Sequence, residues 1–189
     1  MNIKEIFLKT SKYTRSGFRL IDSKPRAIVI HYFANPNTTA EQNYKYFSLL
    51  PEINKKNKTE TYASYHYLID DTEVIHAIPD YEVAFHAGAK VYKLKAFEEI
   101  GCSEPNHTTI SIGCAHPTKD GKFTEKTIKN LIFLTTWLML THEILPCYIY
   151  RHFDFTNKMC PLYYVDNNKW QELLAKIKEN YYHIKGVVR

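Results

Sequence analysis

The sequence predicts a single-domain α/β protein in which a central mixed β-sheet is flanked by helices. The chain has 189 residues, of which 44% are hydrophobic, and this is enough to bury one core. Short apolar runs, typical of buried strands, alternate along the chain with segments whose apolar residues recur at helical spacing. Two of the short runs flank a tight turn, which indicates an antiparallel hairpin within the interleaved pattern.

The first predicted strand is Ala27–Tyr32, a short apolar run rich in β-branched residues that suits a buried position in a sheet. A helix over residues 39–50 is expected next, because Thr38 and Glu41 have the spacing of a capping box. His31 is therefore predicted to lie near the carboxyl end of a buried strand.

The middle of the chain is predicted to supply more strands. Residues 66–69 and 73–78 are the two arms of the hairpin, and Asp70, Asp71 and Thr72 form the turn between them. Residues 109–115 form another apolar run that predicts a buried strand, and 147–151 form a shorter one.

Two further helices are predicted in the second half of the chain. Thr124 can cap a long, largely buried helix that ends before Pro146, and Asp166 can cap the last helix. The residues at helical spacing are Ile128, Leu131, Ile132, Thr135, Leu138, Met139 and His142 in the first helix, and Trp170, Leu173, Leu174, Ile177 and Tyr181 in the second.

Positive charge is concentrated at the amino end. Residues 1–26 hold seven basic and two acidic side chains. The net charge of this segment is therefore +5, which equals the net charge of the whole chain. We therefore expect a basic extension at 1–24 and a catalytic domain at 25–189. Such an extension favours an anionic partner, which can be nucleic acid, an anionic membrane or anionic wall polymers such as teichoic acids, although a solvated arm without a partner explains it equally well. A nucleic-acid partner is not expected, because no nucleic-acid-binding motif accompanies the charge.

The four cysteines are far apart and contain no CxxC pair, which does not indicate a disulfide framework. The first residues lack the apolar core of a signal peptide, and the longest apolar stretch, 131–140, is too short to cross a bilayer. We expect a chain without a transmembrane segment that is made in the cytoplasm without a signal peptide.

The strongest functional pattern lies at 151–161, after the strand predicted at 147–151. His152 and Cys160 are zinc ligand types, Lys158 lies close by in the sequence, and His31 can supply a third ligand from a neighbouring strand. Three protein ligands with one open position are typical of a catalytic zinc site. Each residue alone is weak evidence, because single histidines are mostly structural and single cysteines are mostly small buried apolar residues.

Taken together, five segments resemble the type 2 N-acetylmuramoyl-L-alanine amidases, the family of phage lysozyme-type endolysins and peptidoglycan recognition proteins. The segments are AIVIHY, SYHYLIDD, AFHAG, TISIG and RHFDFTNKMCP, which follow in the family's order across about residues 25–175. The resemblance implies one zinc ion held by His31, His152 and Cys160. It also implies that Tyr65 and Lys158 assist catalysis.

One segment departs from many bacterial members of that family, which carry a catalytic glutamate in the strand that corresponds to 109–115. Here the strand has no carboxylate, so either a different base works or the chain belongs to the branch that uses a tyrosine. Tyr65 in SYHY favours the tyrosine branch. His86 in AFHAG is a candidate for binding substrate or supporting the metal, and a purely structural role is about equally plausible.

The resemblance implies a zinc-dependent hydrolase that cleaves the amide between the lactyl group of N-acetylmuramic acid and L-alanine in peptidoglycan. The alternative is a zinc-containing module that binds peptidoglycan without cutting it, although members of that kind typically lack the cysteine ligand. Without a signal peptide, the chain is expected to be an endolysin that reaches the wall through a holin-like partner. A cytoplasmic recycling enzyme is the alternative, but the basic extension would then have no purpose.

Overall fold

The computed structural model describes residues 3–93, 98–101 and 104–186, and its core is a six-stranded sheet with helices on both faces. The strands are β1 (Ile3–Glu5), β2 (Arg15–Arg19), β3 (Ala27–Tyr32), β4 (Tyr67–Ile69), β5 (Val74–His76), β6 (Glu82–Ala84), β7 (Thr109–Cys114) and β8 (Ile149–Arg151). The helices are α1 (Ala40–Asn57), α2 (Glu125–His142), the single turn α3 (His152–Phe155) and α4 (Asn167–Ile184).

The main sheet is mixed, as predicted, with the strand order β1-β5-β4-β7-β3-β8. The three central strands β4, β7 and β3 are parallel, and β8 joins β3 in the same direction. The predicted hairpin is confirmed, since β4 and β5 are antiparallel around the turn at Asp70. Strands β2 and β6 form a separate antiparallel pair. The carboxyl ends of β3 and β8 therefore meet at one edge of the sheet.

Alternate residues of the central strands face two different layers. Ile28 and Ile30 of β3 pack into the larger core beneath α2 and α4, while α1 covers the opposite face near β4 and β5. Helix α4 has an amphipathic stripe whose buried residues are Trp170, Leu173, Leu174, Ile177 and Tyr181. These are the residues whose spacing predicted the helix.

The boundaries of α1 differ from the prediction at both ends. Thr39, one residue after the predicted cap, accepts a hydrogen bond from the Gln42 backbone N–H and forms the capping box with that residue. The helix then continues through Pro51 to Asn57, where Lys58 adopts a left-handed conformation. The predicted end at residue 50 is therefore seven residues too early.

The amino-terminal segment is not an appendage separate from the domain over the described residues 3–24. β1 forms one edge of the main sheet by parallel pairing with β5, and β2 pairs with β6. Four of the seven basic residues in 1–26 form ion pairs with carboxylates of the protein, namely Lys12, Arg15, Lys24 and Arg26. Much of the charge that predicted a basic arm is thus neutralised within the fold.

None of the helices within the described parts of the chain is long and apolar enough to cross a membrane.

Candidate metal centre and active-site groove

Three potential metal ligands converge at the edge where β3 and β8 end. His31 is the fifth residue of β3, and His152 directly follows β8 as the first residue of α3. Because β3 and β8 are parallel neighbours, both histidines leave the sheet on the same side. The loop after α3 returns Cys160 to this point, where the Cys160 carbonyl accepts a hydrogen bond from the Phe153 backbone N–H.

The donor atoms of His31, His152 and Cys160 all lie within 4.8 Å of one another. His31 Nδ1 is 3.6 Å from Cys160 Sγ. A tetrahedral zinc ion with usual bond lengths separates a nitrogen and a sulfur ligand by about 3.6 Å, so the pair has the spacing of two zinc ligands. His152 Nε2 is buried and has no hydrogen-bond partner among the residues that the structure describes. These observations fit a bound metal ion.

The surroundings of the three candidate ligands determine their protonation states. Burial lowers the pKa of His31 well below its usual value, and burial together with the Lys158 charge lowers the pKa of His152 to about 4. Both rings are therefore neutral at neutral pH, as metal ligands must be. Burial raises the pKa of the Cys160 thiol to about 12. This cysteine becomes a thiolate only when a metal ion replaces its proton.

A chain of hydrogen bonds fixes the proton positions on His31. Thr109 Oγ1 donates its only hydrogen to the Pro105 carbonyl at 2.7 Å, so it accepts a hydrogen from His86 Nε2 at 3.1 Å. Because burial lowers the pKa of His86, this ring is neutral, and its Nδ1 accepts from His31 Nε2 at 3.0 Å. His31 Nδ1 is then unprotonated and directs its lone pair towards Cys160. His86 therefore contacts His31, one of the three candidate ligands, through its Nδ1.

Tyr65 and Lys158 line the groove beside the ligands, as does His86. The rings of Tyr65 and His31 lie 4.9 Å apart. Burial raises the pKa of the Tyr65 hydroxyl well above its usual value, so the hydroxyl keeps its proton and acts as a donor. Lys158 Nζ donates to the Gly88 carbonyl at 3.2 Å across the groove. All six residues predicted for the site are therefore brought together.

The groove has a volume of about 760 Å³. It is lined by Tyr32, Ala34, Tyr62, Ala63, Ser64, Tyr65, Phe85, His86, Gly88, Glu104, Asn106, His152, Lys158, Met159 and Cys160. Two exposed apolar side chains, Tyr62 and Met159, are among these residues, and Glu104 supplies a carboxylate. The groove thus offers apolar, cationic and anionic contacts to one extended ligand.

Two neighbouring residues have structural roles. His66 Nδ1 accepts from the Ser111 backbone N–H at 3.1 Å, and its Nε2 binds the Glu82 carbonyl at 2.9 Å. Asp154 caps the turn by accepting from the Arg151 backbone N–H at 2.7 Å and pairs with the Arg151 guanidinium. The segment that begins at His152 forms one helical turn, α3.

Sequence reasoning overlooked three supporting residues of β7. Thr109 binds His86, Ser111 binds His66, and Gly113 lies beneath Tyr65. They alternate along one strand and face the same side of the sheet, whereas Ile110, Ile112 and Cys114 enter the core. The period-two alternation in TISIGC was the signal that could have identified them.

A mixed sheet with two histidines and a cysteine converging at one edge, beside an open groove, defines an α/β domain with three residues that are able to bind a metal ion. The model of the N-acetylmuramoyl-L-alanine amidase family matches residues 22–163, and the chain belongs to that family.

Known relatives agree with this membership. A probable N-acetylmuramoyl-L-alanine amidase of Bacillus licheniformis is 36% identical over 82% of this chain and 41% of its own length. The N-acetylmuramoyl-L-alanine amidase CwlL of the same organism is 34% identical over 86% of this chain and 42% of its own length. The chain therefore spans about two fifths of these curated relatives. The solved catalytic domain of XlyA is 26% identical, with a TM-score of 0.71, and the match covers 94% of this chain and 99% of that domain.

Proposed function

We propose that this chain is a zinc-dependent N-acetylmuramoyl-L-alanine amidase, which hydrolyses the bond between the muramic acid lactyl group and L-alanine of peptidoglycan. The observation that carries the proposal is the convergence of His31, His152 and Cys160, of which His152 and Cys160 line an open groove. Zinc is the metal that this mixed nitrogen and sulfur donor set favours. The names of the relatives supply the substrate class.

When bound, zinc supplies a Lewis acid that polarises a carbonyl and activates water near neutral pH. His31, His152 and Cys160 would hold the ion and leave one position open towards the groove. Because the Cys160 thiolate cancels one of the two positive charges of the ion, additional donors are needed where negative charge develops on the substrate.

Lys158 and Tyr65 are the proposed donors. The attacked amide becomes tetrahedral, and negative charge develops on its oxygen, which the Lys158 ammonium and the Tyr65 hydroxyl can stabilise. Tyr65 is suited to this task because its proton is retained at neutral pH. Removing one such donor commonly costs on the order of 3 kcal/mol in the transition state.

The proposed site of action is the bacterial cell wall, reached after synthesis in the cytoplasm through a holin-like membrane-permeabilising partner. The endolysin-like amidases among the relatives support a role in wall hydrolysis. The groove suits such a substrate, because it combines exposed apolar side chains with one cationic and one anionic group.

The deciding experiment digests purified peptidoglycan with the zinc-loaded chain and identifies the new ends. We expect free alanine amines without new reducing sugars, and a chelator should abolish their release. New reducing ends would assign a glycosidase instead. Binding to the wall material without any new ends would assign the alternative, a zinc-containing module that recognises peptidoglycan without cutting it.

Attraction to anionic wall polymers is a secondary part of the proposal. Lys4, Lys9 and Arg19 are the basic residues of 1–26 that have no carboxylate within ion-pair distance among the described residues. Replacing all three with glutamine should reduce lysis of whole cells more at low salt than at high salt. The same loss of lysis at both ionic strengths would contradict the proposed attraction to anionic wall polymers.

A further inference from the structure

One position of the sheet that faces the metal centre has no side chain, and aromatic rings fill the space above it. Gly113 is the register partner of His31 in the parallel pairing of β3 and β7. A Cβ atom at Gly113 would lie 2.6 Å from Phe33 Cε1 and 2.7 Å from Tyr65 Cδ2. Real Cβ atoms essentially never approach other atoms to within 3.0 Å. The two rings can stay in place only if residue 113 is glycine.

The Tyr65 ring is enclosed by other buried rings. It packs against Phe47 of α1, with ring centroids 5.5 Å apart, and Phe47 is buried. The Phe33 ring, 6.0 Å from the Tyr65 ring, is also buried. A methyl group at residue 113 would therefore displace the Tyr65 ring within this packing and change the place of its hydroxyl.

We propose that Gly113 is a positioning residue that sets the location of the Tyr65 hydroxyl beside the metal centre. Gly113 has no side chain with which to bind metal or substrate, so it acts only through the ring packed on it. This inference rests on the proposed function, because it gives Gly113 a part in amide hydrolysis through the Tyr65 donor.

The first test is a double-mutant cycle of Gly113→Ala and Tyr65→Phe, measured as hydrolysis of a purified muropeptide by the zinc-loaded protein. Phenylalanine keeps the ring and lacks the hydroxyl, so both arms of the cycle contain the same steric conflict. We expect Gly113→Ala to lower kcat by about 10² or more, with KM and zinc content nearly unchanged. In the Tyr65→Phe background, Gly113→Ala should change kcat by less than about threefold.

A larger additional loss in the Tyr65→Phe background would show that Gly113 acts on catalysis by another route and would overturn the proposal. Unchanged kcat in Gly113→Ala alone would do the same. The control is Cys114→Ala, because Cys114 is the neighbouring β7 residue and packs in the core on the opposite face. It should lower stability without lowering kcat.

If Gly113→Ala does not fold, Phe33→Leu is added to it, and the cycle is run against the Phe33→Leu protein. Leucine removes the ring atom that lies closest to the new Cβ, and Tyr65 remains in conflict with it at 2.7 Å. The expected and contradicting outcomes stay the same.

The second test does not depend on activity. Thermal unfolding is measured for Gly113→Ala in the wild-type and Tyr65→Ala backgrounds. Gly113→Ala should lower Tm less when Tyr65 is truncated, because the methyl group then meets one ring fewer. Equal losses of Tm would overturn the proposal. The Tm comparison can be interpreted even if the wild-type chain releases no alanine amines. A lack of alanine release would contradict the proposed function and not the packing of Tyr65 on Gly113.

Discussion

The two ring nitrogens of His31 have different partners. The hydrogen bond to His86 determines which of the two carries the proton. His31 Nε2 donates to His86 Nδ1, so His31 Nδ1 is free to bind metal on the side of Cys160. Metal-bound histidines usually donate to a carboxylate, a carbonyl or water. Here a second neutral histidine accepts, and Thr109 holds the proton of that histidine on the far nitrogen.

We predict that Thr109→Val weakens zinc binding by about 10- to 100-fold, because His86 then loses the acceptor that fixes its tautomer. Zinc affinity is measured by competition with a chelator. Thr108→Val is the matched control, since Thr108 Oγ1 is buried without a hydrogen-bond partner in the described part of the chain, and its loss should leave affinity unchanged. Equal affinity in the two variants would contradict the role assigned to this hydrogen bond.

Lys158→Ala should retain zinc and lower kcat by about 10² to 10³, because it removes a donor that acts on developing charge. The measurements are metal content by mass spectrometry and turnover of a muropeptide. Lys119→Ala, which removes an exposed lysine elsewhere, is the control. Turnover near the wild-type value in Lys158→Ala would refute the role of its ammonium group.

At the scale of elements, strand and helix positions near the site were largely predictable, because apolar runs and caps carry strong local signals. The predicted ligands also converge as expected, since parallel neighbouring strands end at one edge. Four elements were missed for physical reasons. The strands β1, β2 and β6 are short and pair with segments distant in the sequence, which local sequence does not encode. Helix α3 is a single turn held by the Asp154 cap and is too short to show helical periodicity.

A buried charge cluster connects β4, β5 and α2. Asp80 accepts from the Tyr67 hydroxyl at 2.7 Å and from His142 Nε2 at 2.7 Å, and it lies 3.1 Å from His76 Nε2. Burial opposes ionisation, but the hydrogen bond from His142 and the proximity of the His76 ring outweigh it and hold the pKa of Asp80 well below its usual value. The carboxylate is therefore charged under all ordinary conditions.

Asp80→Asn should lower the free energy of unfolding by about 2–4 kcal/mol, because three buried partners lose a charged acceptor. Urea denaturation at neutral pH measures the change. Glu172→Gln, at an exposed position of α4, should change stability by no more than about 0.5 kcal/mol. A similarly small effect of Asp80→Asn would mean that the cluster does not stabilise the fold.

Across the whole molecule, buried neutral histidines predict sensitivity to acid. Burial lowers the pKa of His66 to about 4, and burial also lowers those of His31 and His86. Below an unfolded-state pKa of about 6.5, the unfolded chain binds protons that the folded chain does not, so stability falls as pH decreases towards 4. His66 alone accounts for a loss of about 2 kcal/mol between pH 7 and pH 5.

Urea denaturation of the chelator-treated protein at pH 7 and pH 5 measures this effect. His66→Gln cannot titrate in this range, and it should reduce the loss of stability between the two pH values. Stability that stays constant or rises on acidification would contradict the prediction.

The place of β1 at the border of the sheet affects how the amino end should be manipulated. Truncation before residue 6 would expose the backbone N–H and C=O groups of β5, including those of Val74 and Ile75, as an open template for strands of other molecules. Truncated protein is therefore prone to self-association, and a loss of lytic activity after truncation would not by itself measure charge. Fusion partners are better joined at the far terminus, where α4 ends on the surface.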